Sequence, residues 1–576
     1  MASDTHAAPA PTEAGGDGPA PYRWRWYAFA VVLVATMMDI LDALITTIAG
    51  PSIRADLGGS TTMIQWLTAG YTLAMAAGLI IGGRLGDIFG RRRMFLVGVA
   101  GFTLCSILCG LAQGPDSLVL FRVLQGLCGA VMIPQGLGLI KELFPPRELP
   151  LAFGSIGPIV GLANIAGPIV GGWLLSADLF GTGWRMIFLV NLPLGVVCFF
   201  AAAKLLPASP GRTASRLDLV GAAIVASAAL LLVFPVVQGR ELGWPLWTFA
   251  SMAAGVVLFG VFGRYESHRQ RRGGDPLVIP GLFRKRAFSG ALVAGSLMFC
   301  AVIGFTLVFT LYVQTGLGYS PLKAAMTSLP QVLGSAVVAL VVGRIGLAAK
   351  LGRALIHIGT ATMLAGIVGL WFTVNLASGD VGALWFAPSL AVVGVGMGLG
   401  MSSLYYTVNT SAEPHESGSA SGTFTAVQQF SGALGIAVIG TVFFGLLGGQ
   451  VASQADGLAP ALRAELAAAG VAADGRDRIV AGLRACGGDR SASEDAGEVP
   501  ASCRELDREV DRLARSASDP SVVREAVREA GAEAARRGYD SAFERALWVM
   551  AGLFAVAFAV AFVLPRARQT FQGADG

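Results

Sequence analysis

The sequence predicts an all-α polytopic membrane protein with about fourteen spanning helices. Three observations predict it. Charged residues make up 14% of the 576-residue chain, against about 25% in soluble domains. Hydrophobic residues reach 54%, and mean hydropathy is +0.64. The apolar residues also fall into runs of about 20, the length that crosses roughly 30 Å of hydrocarbon.

Taken in order, these runs start near Tyr27, Thr62, Arg93, Ser117, Pro150, Trp184, Leu217, Leu246, Ala287, Lys323, Arg353, Ala383, Gly422 and Glu544. Arginine and lysine between them fix the orientation, because cytoplasmic loops are enriched in both. One alternate set of loops holds Arg84, Arg91, Arg92, Arg93, Lys141, Arg147, Arg264, Arg269, Arg271, Arg272, Lys350 and Arg353, while the other short loops hold only Arg54, Arg185, Arg240 and Lys323. Both termini are therefore expected in the cytoplasm, with the chain in a bacterial inner membrane. The net charge of +5 belongs to these loops and gives no nucleic-acid signal.

Residues 450–543 are long, polar and rich in Ala and Arg. Segments such as ALRAELAAAG show helical spacing, and parity places them outside as a small helical insert. Two readings stand for Cys486 and Cys503 there: a disulfide, favoured by an oxidising compartment, or two free thiols. No cysteine shows metal-ligand spacing.

Two loops look alike. GGRLGDIFGRRRMFLVG at 82–98 and GRIGLAAKLGRALIHIG at 343–359 both carry Gly-Arg, then a second Gly-Arg pair, then an apolar helix. Duplicated halves are a common transporter plan. The expected organisation is a disordered cytoplasmic tail (1–22), an N-terminal six-helix bundle (23–206), two inserted helices (207–272) and a C-terminal six-helix bundle (273–565). The second bundle is interrupted by the extracytoplasmic insert (450–543), and a cytoplasmic tail (566–576) follows.

Ionisable residues inside spans cost roughly 2.5–3.5 kcal/mol each on insertion scales and mark function by default. The first run carries Asp39 and Asp42, which share a helix face at a spacing of three. A rise of 1.5 Å per residue from Tyr27 puts Asp42 about 22 Å deep, roughly 8 Å from the outer surface. Arg122 enters from outside near Ser117 and reaches a similar depth, so the two can pair. Such a carboxylate suits proton coupling, because burial and charged neighbours change its proton affinity as water access alternates.

The residues now carry a resemblance. GRLGDIFGRRR at 83–93, RVLQGLCGA at 122–130, GLANIAGPIVGG at 161–172, ILDALITTIAGPSI at 40–53, WRMIFLVNLPLG at 184–195 and YVQTGLGYSPLKAAMTSLP at 312–330 resemble the fourteen-helix drug:proton antiporter family of the major facilitator superfamily. The resemblance spans about residues 24–565, apart from the long insert. It implies the major facilitator fold: two six-helix bundles plus two inserted helices. It implies a conformational latch at Gly83, Asp87, Gly90, Arg91 and Arg92, and an antiporter motif at Gly161, Gly167, Pro168, Gly171 and Gly172. It ties Arg122 to proton transfer. In the first-span motif Leu44 and Thr47 depart from the family pattern, and in the antiporter motif Ala163 stands where a glycine is usual. The absence of Asp or Glu from spans 9–13 favours neutral or singly charged substrates over dications. Gln125, Gln314, Gln331, Tyr405 and Gln428 are expected to line the cavity.

The expected function is export of small amphiphilic organic molecules, driven by the proton gradient and needing no cofactor or metal. The expected partners are substrate, protons and the bilayer, for a chain that acts as a monomer. A metabolite importer or facilitator of the same fold remains as an alternative, as does a membrane sensor using the long insert. An ATP-driven pump is disfavoured, since no G-x-x-x-x-G-K-[ST] phosphate loop occurs. GVGMGLG at 394–400 lies inside an apolar run and reads as helix packing rather than a dinucleotide loop.

Overall fold

Proline, glycine and short polar side chains punctuate the long apolar runs. The computed structural model describes residues 22–145, 148, 152, 163, 166–208, 218–240, 242–274, 276–376, 382–413, 416–492 and 499–565. Its first helices are α1 (Arg25–Leu57), α2 (Thr61–Phe89), α3 (Arg91–Gly110) and α4 (Pro115–Leu143). Then come α5 (Ala166–Ala177), α6 (Gly183–Leu205), α7 (Leu219–Gln238) and α8 (Leu246–Arg271). The second half holds α9 (Arg286–Leu311), α10 (Pro321–Ile345), α11 (Arg353–Leu376), α12 (Ala383–Ser411) and α13 (Ser417–Ala468). The last are α14 (Ala473–Ala492), α15 (Ala501–Ala514) and α16 (Pro520–Val560).

Local sequence explains the starts and stops. Ser60 and Ser320 cap α2 and α10 by accepting from Met63 and Lys323 backbone N–H groups, and Asp218 caps α7 through Gly221. Gly90, at φ +92°, makes the sharp turn from α2 to α3. Gly352, at φ +51°, makes the corresponding turn into α11. The two look-alike loops thus have the same job.

Twelve described helices are long and apolar enough to cross a membrane, and α2, bent by 46° between Leu79 and Ile81, makes a thirteenth when counted as one span. The expected span starting near Pro150 falls largely outside the described residues; α5 is its described part. The chain is a multi-pass membrane protein.

Glycine lets the helices approach closely, which matters in lipid because apolar tails give no hydrophobic drive for association. A Cβ on Gly82 of α2 would lie 2.1 Å from the Ala130 carbonyl oxygen of α4, and one on Gly126 of α4 would lie 2.4 Å from the Tyr71 carbonyl oxygen of α2. In α12, Gly394 and Gly398 abut the backbone of α10, while Gly396 and Gly400 abut α11. The GVGMGLG run is therefore a two-sided packing surface.

Helices α1–α6 share one set of cores, including Phe29, Phe95, Phe102 and Phe188. Helices α9, α11–α13 and α16 share another around Phe305, Phe309, Phe386 and Phe543. The α7–α8 pair leans on α2 and α13. Beyond the bundle, α13 continues into a helical insert with α14, α15 and the start of α16. Leu462, Leu466, Ile479, Leu506 and Val523 form its own core, and a disulfide joins Cys486 to Cys503 with Cα atoms 4.5 Å apart. Positions 450 and 543 are not breaks. They fall inside α13 (52 residues) and α16 (41 residues), because Ala, Gln, Glu and Arg continue a helix after the apolar run ends.

The bundles meet toward the insert face. There Gln314 Nε2 donates to the Ile48 carbonyl at 3.0 Å. Gly440 of α13 fits against Gln65 of α2, and Gly172 of α5 fits against Leu322 of α10. Nearer the middle of α2, Gln429 approaches the Met75 sulfur at 2.9 Å.

Candidate functional site

The apolar length of α1 forces Asp42 deep into the N-terminal bundle, where it is 2% exposed. A carboxylate so buried needs partners, and two neighbouring helices, α4 and α6, supply them. Arg122 of α4 donates from Nη1 to Asp42 Oδ2. Gln125, one turn further along α4, donates to Oδ1 at 2.9 Å. Asn191 of α6 donates to the same oxygen at 2.8 Å and to Ser106 Oγ of α3 at 3.0 Å. Ser106 in turn donates to the Phe188 carbonyl at 2.9 Å.

Arg122 is fully buried. Besides Asp42 it donates to Gln125 Oε1 at 2.8 Å and, through Nε, to the Leu67 carbonyl of α2 at 3.1 Å. Its Nη2 has no hydrogen-bond acceptor. The guanidinium carbon lies 4.2 Å from the ring centroid of Tyr71, so the ring face takes part of the charge. The Tyr71 hydroxyl donates to Asp39. The two aspartates on one face of α1 are thus joined through Tyr71 and Arg122 and hold different direct partners. This polar cluster ties α1, α2, α3, α4 and α6 together.

Sequence reasoning places Asp42, Arg122 and Asp39 here, and the structure brings all three into one cluster. Gln125 is expected in the cavity but is fully buried in the Asp42 network; its position three residues after Arg122 puts both on the same helix face. Asn191, Ser106 and Tyr71 are missed. The available signal is their polarity within apolar runs, strongest for Asn191.

The other expected residues lie elsewhere. Gln314 is in the seam between bundles. Gln331 packs its backbone against Gly394 and is half-buried. Tyr405 donates to Gln428 Oε1 at 2.9 Å within the C-terminal bundle. Tyr405 is 44% exposed and Gln428 only 4%, so of the two Tyr405 has the open face.

At the expected latch, Arg91 donates to Asp87 at 3.1 Å and lies 3.6 Å from Glu142 of α4. Arg92 donates to the Ala203 carbonyl. These contacts stay within the N-terminal bundle. A Cβ on Gly83 would meet only Pro134 at 3.7 Å. In the expected antiporter motif, Gly167 and Gly171 fit against Leu44 and Ile45 of α1, and Gly172 against Leu322 of α10. Pro168 is buried in α5. Gly161 lies outside the described residues.

Comparison with known proteins places this geometry in context. Residues 29–436 match the family model described as Major Facilitator Superfamily. A probable actinorhodin transporter of Streptomyces coelicolor is 45% identical over 476 residues, covering 83% of this chain and 82% of that protein. The tetracenomycin C resistance and export protein of Streptomyces glaucescens is 34% identical, covering 72% and 76%. A puromycin resistance protein of Streptomyces alboniger is 35% identical, covering 75% and 84%. Among solved structures, a POT family transporter in complex with 5-aminolevulinic acid aligns with a TM-score of 0.57 at 16% identity, covering 75% of this chain and 92% of that one. A bacterial homolog of the lysosomal transporter Spinster, inward-facing and unoccupied, aligns with a TM-score of 0.54 at 14% identity, covering 94% and 98%.

Proposed function

This chain belongs to the Major Facilitator Superfamily, and on that premise we propose that it is a proton-coupled antiporter exporting small amphiphilic organic molecules. The family is one of transporters, and the chain is not an enzyme. A relative named for tetracenomycin C resistance and export, one named for puromycin resistance and one named as a probable actinorhodin transporter support drug or antibiotic export as the direction and substrate class. The reading has the chain as a monomer in a bacterial inner membrane with both termini cytoplasmic, as the arginine and lysine asymmetry of its loops indicates. It uses no cofactor.

One observation carries the coupling: a membrane-buried carboxylate, Asp42, whose two oxygens are held by Arg122, Gln125 and Asn191. Protonation of Asp42 cancels its attraction to Arg122 and turns one carboxylate oxygen from acceptor to donor. The tie between α1 and α4 loosens, and α1 also carries Ile48 at the seam between bundles. Loading from outside and release inside then convert proton flow into movement of one bundle against the other. A proton moving inward across about 100 mV yields roughly 2.3 kcal/mol, and one pH unit adds about 1.4 kcal/mol. Together they sustain a few-hundred-fold gradient of a neutral substrate, at about tenfold per 1.36 kcal/mol.

The test uses inside-out vesicles carrying a pH gradient. Candidate aromatic antibiotics should release protons from vesicles with the wild-type chain and not from those with Asp42→Asn. Equal proton release from both would place the coupling group elsewhere.

A further inference from the structure

We propose that the gap between the inserted helix pair and the two bundles is a phospholipid site: one acyl chain of an anionic diacyl phospholipid fills it, and the headgroup lies against Arg271 and Arg284. Near the insert face the pair α7–α8 is hydrogen-bonded to the bundles. There Thr441 donates to the Val236 carbonyl at 2.8 Å, the segment after α7 donates from Arg240 to the Phe444 carbonyl at 3.4 Å, and Trp66 Nε1 donates to Gln238 Oε1 at 3.4 Å. Nearer the opposite end, a cavity of about 460 Å³ separates the pair from α2 and α13. That volume falls within the roughly 300–1,000 Å³ of ligand pockets. Its walls include Ala77 of α2, Val225 of α7, Phe262 of α8 and Phe430 of α13.

The walls are largely apolar, and the one charged side chain among them does not offer its charge to the cavity. Glu266 of α8 accepts from the Val278 backbone N–H at 3.3 Å, and its other oxygen packs against Gly221 of α7. What remains is hydrocarbon surface beside the bilayer. Gly263 of α8 is an exposed wall residue, and a Cβ there or on Gly260 would meet nothing within 4 Å. Val256, Val257 and Val261 on the same helix are exposed, as lipid-facing residues are. Surface left bare in such a gap forfeits its dispersion contacts. Water does not restore them, because apolar cavities stay dry. A fatty-acyl chain from the adjoining bilayer does.

Charge at the end of the cavity selects the lipid. Ser267 and Pro280 line that end. Arg271 of α8 and Arg284 of the short helix Pro280–Arg284 each stand one helical turn further along, on the same helix faces. Both arginines are exposed, and neither has an ion-pair partner among the described residues. Basic residues beside a gap between spanning helices suit an anionic headgroup, and the planar guanidinium fork matches a phosphate. A zwitterionic headgroup brings them no net charge.

The test places the full-length chain in phosphatidylcholine nanodiscs doped with one of two probes: phosphatidylglycerol or phosphatidylcholine, each with a diazirine in one acyl chain. It requires neither transport nor coupling, so its result is independent of the export reading. Light should attach the phosphatidylglycerol probe to residues 423–430 of α13 or to Ala76 and Ala77 of α2, the walls behind the inserted pair, and unlabelled phosphatidylglycerol should compete. Arg271→Gln combined with Arg284→Gln, two exposed positions where the fold should be unaffected, should cut the preference for phosphatidylglycerol at these walls by about tenfold or more. Gly263→Phe, which fills the cavity from α8, should remove the adduct while thermal unfolding stays cooperative. Labelling confined to the lipid-facing Val256, Val257 and Val261, equal labelling of the walls by both probes, an unchanged preference in the double arginine variant, or an adduct that persists in folded Gly263→Phe would each overturn the proposal.

Discussion

Asn191 reaches Oδ1 of Asp42 at 2.8 Å, leaving Oδ2 to Arg122. The amide comes from α6 and the carboxylate from α1, so the contact fixes one helix against the other in the membrane interior. A hydrogen bond to a charged group contributes about 1.5–3 kcal/mol. Asn191→Leu, which keeps the shape, should therefore lower the thermal unfolding midpoint. The loss should shrink in an Asp42→Asn background, because the two substitutions remove the same interaction. Additive effects in that cycle would mean that Asn191 stabilises the bundle through Ser106 alone.

Arg122 leads to a sharper expectation. It is fully buried and bonded to Asp42, Gln125 and Leu67. Removing one partner of a buried pair costs about 3–5 kcal/mol, since the other charge is stranded. Arg122→Ala should abolish substrate-dependent proton movement in vesicles. Arg122→Lys, which keeps the charge but not the planar fork, should retain part of it. Wild-type pH dependence in the alanine variant would separate the pair from coupling.

The parts of this centre differ in how openly the sequence shows them. The rise per residue alone brings Asp42 and Arg122 to one depth, because a tilt of about 20° changes the depth gained per residue by only a few per cent. Gln125 then follows from helical spacing. Asn191 and Ser106 do not follow, since their approach depends on how α3 and α6 rotate about their axes, which one sequence does not fix. Glu266 is hidden for another reason. It stands among Arg264, His268, Arg269 and Arg271, where a charged residue reads as loop, and only the packing of α7 and of the Leu277–Val278 segment against α8 buries it. The insert's helices are legible from their Ala, Leu and Val spacing. Their continuity with α13 and α16 is not, because a polar helix and a polar loop both end an apolar run.

Gly172 offers a way to shift the conformational balance. A Cβ there would lie 2.7 Å from Leu322 Cα and 3.0 Å from the Pro321 carbonyl oxygen, and backbone atoms cannot step aside as side chains do. Gly172→Val should force α5 and α10 apart at the insert face. Cysteines placed by Ile48→Cys and Gln314→Cys, at a contact bridged by a 3.0 Å hydrogen bond, should then crosslink several-fold more slowly. An unchanged rate would show that α5 yields without moving the bundles.

The Cys486–Cys503 disulfide closes a segment of sequence separation 17. In the chain-entropy account, a loop near 15 residues gains about 3 kcal/mol from such a link. Intact cells should show no maleimide labelling at these positions until a reductant is added. The Cys486→Ser and Cys503→Ser double variant should make α14 and α15 more sensitive to protease added from outside. Labelling without reductant would mean the thiols are free in the cell.

Asp87 and Arg91 distinguish a structural pair from a latch. Their 3.1 Å contact spans one helical turn, and both side chains are about one-third exposed. Exposed pairs at this spacing contribute about 0.3–0.5 kcal/mol, so Asp87→Asn should leave the unfolding midpoint nearly unchanged. In this structure Asp87 pairs inside its own bundle, whereas Gln314 and Ile48 and the Gly172–Leu322 and Gly440–Gln65 contacts join the bundles at the insert face. If Asp87 acts only after the bundles rock and the opposite face closes, its energy appears in that other state and is absent from this one. Asp87→Asn should then slow export by about tenfold or more, the effect of some 1.4 kcal/mol lost from one conformation. It should also raise the rate of Ile48–Gln314 crosslinking by depopulating the alternative state. Slowed export with unchanged crosslinking would assign Asp87 to substrate or proton release instead, and unchanged export would leave it as a surface ion pair.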